Sequence, residues 1–314
     1  MPCRAIAPSA SARLREIRQQ QYDRVLPRVF GAPDHFAGRQ YVRRLTYSHG
    51  DVIPMTIHPI DPKNQGLAGM PTPALMASCV ALLTIPYFLI LRMEPDTWRW
   101  LGKEDGPIEW ISVACFAIAF SATLYAALRC HRGRFFGRET RSNVWLYLLA
   151  AFFFVCGGEE ISWGQRIFGW STPELWRSIN AQEETNLHNI WLFQVKKPDG
   201  SQMSFFALLF NTNRILQTFS MLYGVIIPVA DQISLRANQL IVWLGIPVPP
   251  LKIGAMFLVS YIAFRVAVGT VGSDAPIIRP LNELKETNAA FLFALIALYF
   301  ASNAFAGRLA PRPS

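Results

Sequence analysis

Charge is what this chain has little of. Only 16% of its 314 residues are Asp, Glu, Lys or Arg, against about 25% in an average soluble domain. That scarcity excludes a disordered chain as a whole, because disorder rests on polarity and few apolar residues. Cysteine is thin as well. Cys3, Cys79, Cys115, Cys130 and Cys156 are scattered without a C-x-x-C pair, so neither a disulfide framework nor a zinc knuckle has support. No G-x-x-x-x-G-K-[ST] loop, G-x-S-x-G elbow or H-E-x-x-H sequence occurs. P-loop, serine-hydrolase and zincin chemistries are thereby set aside. Internal repeats and low-complexity tracts are absent too.

What is plentiful is apolar. Hydrophobic residues make up 52% of the chain and the mean hydropathy is +0.23. They fall in six blocks, at 74–91, 111–128, 144–156, 215–230, 253–269 and 289–306. Crossing about 30 Å of hydrocarbon takes roughly 20 helical residues. The third block is too short alone and reaches that length only if the helix runs on to about Trp163. A helical turn at 204–210 is expected ahead of the fourth. In hydrocarbon every backbone group must be paired within its segment, so these blocks read as helices. The alternation of a transmembrane strand is missing. The expected fold is an all-α integral membrane bundle of six transmembrane helices over 73–306, with an outer loop region at 164–203 and a short tail at 307–314.

Residues 1–72 differ from the rest, with ten Lys or Arg, five Asp or Glu and no apolar run of more than a few residues. A secretory signal peptide is not expected there. Three descriptions fit: a disordered basic tail, a cleaved targeting segment, or sequence upstream of a start at Met55 or Met70. The first is the working expectation. Between the blocks, Ser171-Thr172-Pro173-Glu174 reads as a helix start with a capping hydroxyl. A second helix is expected over about 181–193. Residues 231–250 read as an interfacial helix stopped by Pro247, Pro249 and Pro250.

Lys and Arg mark the cytoplasmic side of a membrane protein. Placing 1–72, 129–143, 231–252 and 307–314 inside gives that side 19 Lys and Arg and 7 acids. The outer side then holds 10 Lys and Arg and 14 acids. The loop 129–143 alone has five arginines and one acid, which fixes the orientation without the tail. Both termini are expected in the cytoplasm and the bacterial inner membrane is the expected location. The basic balance is thus spent on topology, and no nucleic-acid partner is expected.

The outer acids cluster. Glu104, Asp105 and Glu109 open the second helix, Glu159 and Glu160 close the third, Glu183 and Glu184 follow it, and Glu283 and Glu286 lead into the sixth. Acids at helix N-termini suit the macrodipole. Glu159 and Glu160 do not, since they end a wholly apolar run at a helix C-terminus and repel each other. They need cations, protons or a metal. Glu184 and His188 stand four apart, one face of a helix, and a carboxylate with an imidazole can chelate one ion. His188 is the only outer histidine, which excludes a histidine-box oxidase. Asp105 and Glu109 would share a helix face at the same spacing. Gly157 and Gly158 permit a bend or close approach, Trp163 suits the interface, and Gln165 and Arg166 can pair the carboxylates. Arg265 in the fifth block, and Asn211, Asn213, Arg214 and Gln217 ahead of the fourth, add polar groups at membrane depth. Arg214 could neutralise a glutamate.

Glu104-Asp105-Gly106, the string Gly158-Glu159-Glu160-Ile161-Ser162-Trp163-Gly164-Gln165, and Asn180, Gln182 and Glu184-Thr185-Asn186-Leu187-His188-Asn189 together resemble a family of uncharacterised bacterial multi-pass membrane proteins. The resemblance spans about residues 100–190, with a weaker echo at 283–288, and leaves the first 72 residues outside. It implies a membrane location and little chemistry.

Three functions are expected to compete. In the first, a membrane-embedded hydrolase or transferase, Glu159, Glu160, Glu184 and His188 bind a divalent metal. That metal activates water against a lipid-linked substrate, with Glu104, Asp105 or Glu109 as general acid or base. The second is a cation- or proton-coupled transporter using the same acids. The third is a non-catalytic subunit of a membrane complex. Acids crowded at one interface, without an inverted repeat, favour the enzyme over the carrier.

Overall fold

The computed structural model describes residues 73–103, 105–187, 189–194, 201, 211–272 and 275–305. The segment 1–72, the tail 307–314, the turn expected at 204–210, Glu104 and His188 lie outside them.

All six apolar blocks are helical. The first is α1 (Pro73–Ile90), followed by the short α2 (Pro95–Leu101) and by α3 (Pro107–Arg129). A hairpin of β1 (Gly133–Phe135) and β2 (Arg138–Thr140) leads into α4 (Val144–Glu160), and the loop region holds α5 (Glu174–Ile179) between a helical turn at Gln165–Phe168 and a 3-10 turn at Trp191–Phe193. The fourth block is one winding rod: α6 (Thr212–Met221) passes through a π-helical turn (Leu222–Ile226) into α7 (Ile227–Ile233). α8 (Leu235–Leu244) precedes α9 (Leu251–Val271) and α10 (Ile278–Phe305). Among the described residues three helices, α3, α9 and α10, are long and apolar enough to cross a membrane. Their outward sides are apolar: Ile111, Ile118, Leu258, Ile262, Val266 and Leu298 are each about half exposed, which suits hydrocarbon rather than water.

α10 is the hub. It packs along α3 and also meets α1, α2 and α9. Phenylalanines interleave around it, with ring centroids 4.4 Å apart for Phe152 and Phe219 and 5.3 Å for Phe153 and Phe293. Polar pins cross the same core. The Asn288 amide on α10 lies 3.0 Å from the Leu83 carbonyl, 3.2 Å from Tyr87 Oη and 3.1 Å from Ser260 Oγ, joining three helices. Thr287 meets Ser112 of α3 at 2.7 Å and donates to the Ile108 carbonyl at 3.1 Å. Small residues permit the closest approach. A Cβ on Gly224, inside the π turn, would sit 2.7 Å from the Phe257 ring, and one on Gly254 would press on the Gly224 carbonyl. Backbones approach this way in membrane bundles, where van der Waals contact replaces the hydrophobic drive.

Several expectations are corrected. α4 stops at Glu160, so its 17 residues span about 25 Å and not the full hydrocarbon thickness. The chain leaves the α-helix because Ser162 (φ 45°), Trp163 (φ 56°) and Gly164 (φ 83°) are successively left-handed. α10 begins at Ile278, eleven residues before the apolar block, so Glu283 and Glu286 lie inside the helix. The basic loop 129–143 holds a strand pair. Its two-residue turn, Phe136 (φ 47°) and Gly137 (φ 75°), has the positive φ pair of a type I′ hairpin.

The expected helix at 181–193 is absent. Residues 180–190 form a loop closed by an antiparallel bridge between Asn180 and Ile190, and only Trp191–Phe193 winds, as a 3-10 turn. The cause is Asn180. Its side-chain oxygen accepts from the backbone N–H of Gln182 (2.9 Å) and Glu184 (3.3 Å), and its amide donates to the Asn186 carbonyl (2.8 Å). Such local bonds outcompete a helix. Glu184 therefore lies on a loop and not on a helix face. Asp105 and Glu109 do not share a helix face either. Asp105 precedes the helix with φ 57°, and its backbone N–H donates to Glu109 Oε2 at 2.6 Å, a carboxylate closing its own helix N-terminus. The start of α5 is as expected, but its cap is not. The Thr172 hydroxyl donates to the Glu183 carbonyl at 2.5 Å instead of capping the helix.

Candidate functional site

At the end of the bundle where α4 stops and α3 and α10 begin, the chain forms an open cavity of about 490 Å³. Six carboxylates line it: Glu109 of α3, Glu159 and Glu160 of α4, Glu184 of the loop, and Glu283 and Glu286 of α10. Arg279 of α10 lines it too. The amides of Gln182, Asn186, Asn189, Gln194 and Asn211 also line it, together with apolar Phe116, Phe152, Val155, Ile215 and Leu216. Four chain regions thus contribute acids to one cavity. Asp105 is exposed and is not among the cavity's lining residues.

The wall is built by the left-handed turn after α4. Non-glycine residues in that conformation cost about 1–2 kcal/mol each. The turn folds Trp163 back so that its indole N–H donates to Glu159 Oε1 at 2.6 Å. Gly158 makes room, since a Cβ there would lie 2.9 Å from the Trp163 ring. The backbone N–H of Leu187 donates to Glu159 Oε2, also at 2.6 Å. Both oxygens of this buried carboxylate are thus engaged, and Glu159 ties α4 to the loop.

Glu184 is held similarly. It accepts from the Ser162 hydroxyl at 2.6 Å and the Asn186 amide at 2.8 Å. Asn186 is 1% exposed. It also donates to Ser162 Oγ and accepts from the Asn180 amide and the Asn189 backbone. Gln165 crosses behind: its oxygen accepts from the Thr185 backbone and hydroxyl, both at 2.7 Å, and its amide reaches Thr172. Asn189 bonds Gln182. Ser162, Gln165, Asn180 and Asn186 are therefore scaffold, and Gln165 does not pair a carboxylate.

Glu160 differs from its neighbour. Its carboxylate has no hydrogen-bond or ion-pair partner among the described residues. Glu286, Glu283, Glu109 and Glu159 all act on it electrostatically. Like charges enclosed together repel unless cations or protons intervene.

No family model, curated protein or solved structure matches this chain. Its site is read from its own geometry.

Among the described residues no group of three or more His, Cys, Asp and Glu is set to hold a metal ion. His188 lies outside them, so the set Glu159, Glu160, Glu184 and His188 is present here only as its three glutamates. Arg214 is exposed and pairs with no acid among the described residues; the cation at the cavity is Arg279. Arg265 faces outward on α9, and Asn211 caps α6 and donates to the Phe193 carbonyl at 2.8 Å. Sequence reasoning missed Arg279 as a site residue. The signal was its spacing, four before Glu283 and seven before Glu286, which places all three along one helix face.

Proposed function

We propose that this chain is an integral membrane protein of six transmembrane helices, both ends cytoplasmic, in the bacterial inner membrane. We infer further that its outward cavity is the active site of a metal-dependent hydrolase or transferase acting on a lipid-linked substrate. One observation carries the reading: the cavity is amphipathic, its lining combining carboxylates and amides with phenylalanine and aliphatic residues. A lining of that mixed kind can take both the headgroup and the chain of an amphiphile.

Magnesium needs no preformed triad. It keeps waters and is held by one or two carboxylates together with substrate phosphate. Glu160, with Glu283 or Glu286 across the cavity, is the pair assigned to it. Arg279 is placed to bind the headgroup's phosphate. Of the three acid–base candidates, Glu109 lines the cavity and takes the proton of the attacking water. Glu159 and Glu184 position the wall.

Manganese binding to purified protein in lipid nanodiscs, read by electron paramagnetic resonance, tests this. Wild type should bind the ion, and Glu160→Gln should weaken binding roughly tenfold or more. A wild-type protein that leaves manganese entirely free removes the metal reading. A cysteine at position 182 should react with an impermeant label from outside; labelling only from the cytoplasm would invert the topology.

A carrier is the second reading, and the arrangement of the acids favours it: they ring a cavity wall and do not converge on a point. Uptake of an organic cation into proteoliposomes, lost in Glu160→Gln, would select it.

A further inference from the structure

The end of the bundle opposite the cavity carries a second built surface. α3 runs from Glu109 at the acidic end to Arg129 at this one. The hairpin that follows is docked and not loose. The Gly137 N–H donates to the Trp243 carbonyl at 2.7 Å, and Trp145 Nε1 donates to the Leu244 carbonyl at 2.8 Å. The Asn143 amide reaches the Gly245 carbonyl at 3.4 Å. Gly245 (φ +80°) lies so close to the Arg134 carbonyl that a Cβ would collide with it. The rings of Phe135, Phe136, Trp145 and Trp243 pack together, Phe136 edge-on to Trp243 at 5.6 Å. Hairpin and α8 are thus one rigid platform.

Its charge is one-sided. Arg129, Arg132, Arg134, Arg138 and Arg141 stand in 13 residues with Glu139 as the one acid, and none of the five makes an ion pair among the described residues. Two exposed arginines elsewhere do pair, Arg99 with Asp96 at 3.1 Å and Arg177 with Glu183 at 3.9 Å. Beside the arginines, Phe136, Leu240, Val242 and Trp243 are about half exposed. Apolar side chains in line with unpaired guanidinium groups suit a membrane interface. The rings enter the acyl boundary and the arginines reach phosphate oxygens.

We infer that this platform is a binding site for anionic phospholipid headgroups, selective over zwitterionic ones. A guanidinium fork matches a phosphate with two parallel hydrogen bonds, and a headgroup with net negative charge lacks the cationic group that would repel the remaining arginines. A preformed platform loses little conformational freedom on binding. The inference rests on the membrane reading but not on the acidic cavity or its metal. Carbonate extraction of native membranes tests the membrane reading separately.

The experiment is native mass spectrometry of the full chain released from micelles containing equal phosphatidylglycerol and phosphatidylcholine. Wild type should retain phosphatidylglycerol preferentially. Arg132→Gln, Arg138→Gln and Arg141→Gln combined should lower its affinity on the order of 100-fold. The control Arg99→Gln with Arg177→Gln, on the far side, should leave it unchanged. Should the triple variant fail to fold, wild type alone decides: raising salt from 0.05 to roughly 0.5 M must release phosphatidylglycerol, as screening requires. Equal retention of both lipids by wild type, or equal losses in the control and the triple variant, overturns the proposal. So does tighter binding of single-stranded RNA than of phosphatidylglycerol.

Discussion

The two ends of the bundle hold opposite charges and hold them differently. At the acidic end the carboxylates are drawn inward around a cavity, and the loop that covers them is stitched by Asn180, Asn186, Ser162 and Gln165. At the basic end the arginines point out from a two-stranded hairpin and pair with no acid among the described residues. Enclosed charge has to be satisfied by the protein or by something it binds; exposed charge is satisfied by solvent or headgroups. Substitutions at the acidic end should therefore register in folding. Those at the basic end should register only in what the surface binds.

The sharpest test of that contrast is Asn186→Ala. It strips bonds from Glu184, Ser162 and Asn180 and leaves buried Ser162 and Asn180 each short of a bond, and should cost about 3 kcal/mol, measured by SDS unfolding in mixed micelles. Gly158→Ala comes next. Its methyl displaces the Trp163 indole from Glu159 and should cost about 2 kcal/mol, with altered tryptophan fluorescence. Asn288→Leu cuts the pin between α1, α9 and α10. Membrane hydrogen bonds are worth less than their burial suggests, so about 1 kcal/mol is expected. The smallest effect belongs to Arg138→Gln with Arg141→Gln, within about 0.5 kcal/mol of wild type. If that pair costs as much as Asn186→Ala, the ends do not differ in the way described.

How far the sequence foretold this depends on which solvent each segment meets. The six blocks were legible because long apolar runs favour helices, and each is helical over nearly all its described residues, three of them long and apolar enough to cross a membrane. The start of α10 was not. Its first turns carry Glu283, Lys285, Glu286, Thr287 and Asn288, polar because they face the cavity and the neighbouring helices and not lipid. A periodicity reading takes such turns for a lead-in. The gathering of acids at one level was legible from alternating topology alone. Their division of labour was not, because Glu159 and Glu160 are adjacent and chemically identical. Only the left-handed turn, which aims Trp163 at one of them, sets them apart. The loop at 180–190 misled for the same reason that Asn is ambiguous anywhere: its side chain can imitate a backbone group.

The π-helical turn at Leu222–Ile226 has a consequence for how the ends are set against each other. Such a turn winds one residue more than an α-helical turn. Upstream of it, Asn211, Ile215 and Leu216 face the cavity; downstream, α7 leads to the platform of α8 and the hairpin. Removing a single residue from the turn would restore regular winding and swing everything after it by about 100° relative to everything before. One surplus residue is thus the phase setting of the rod, a counter that fixes the angle between the cavity wall and the platform of α8 and the hairpin.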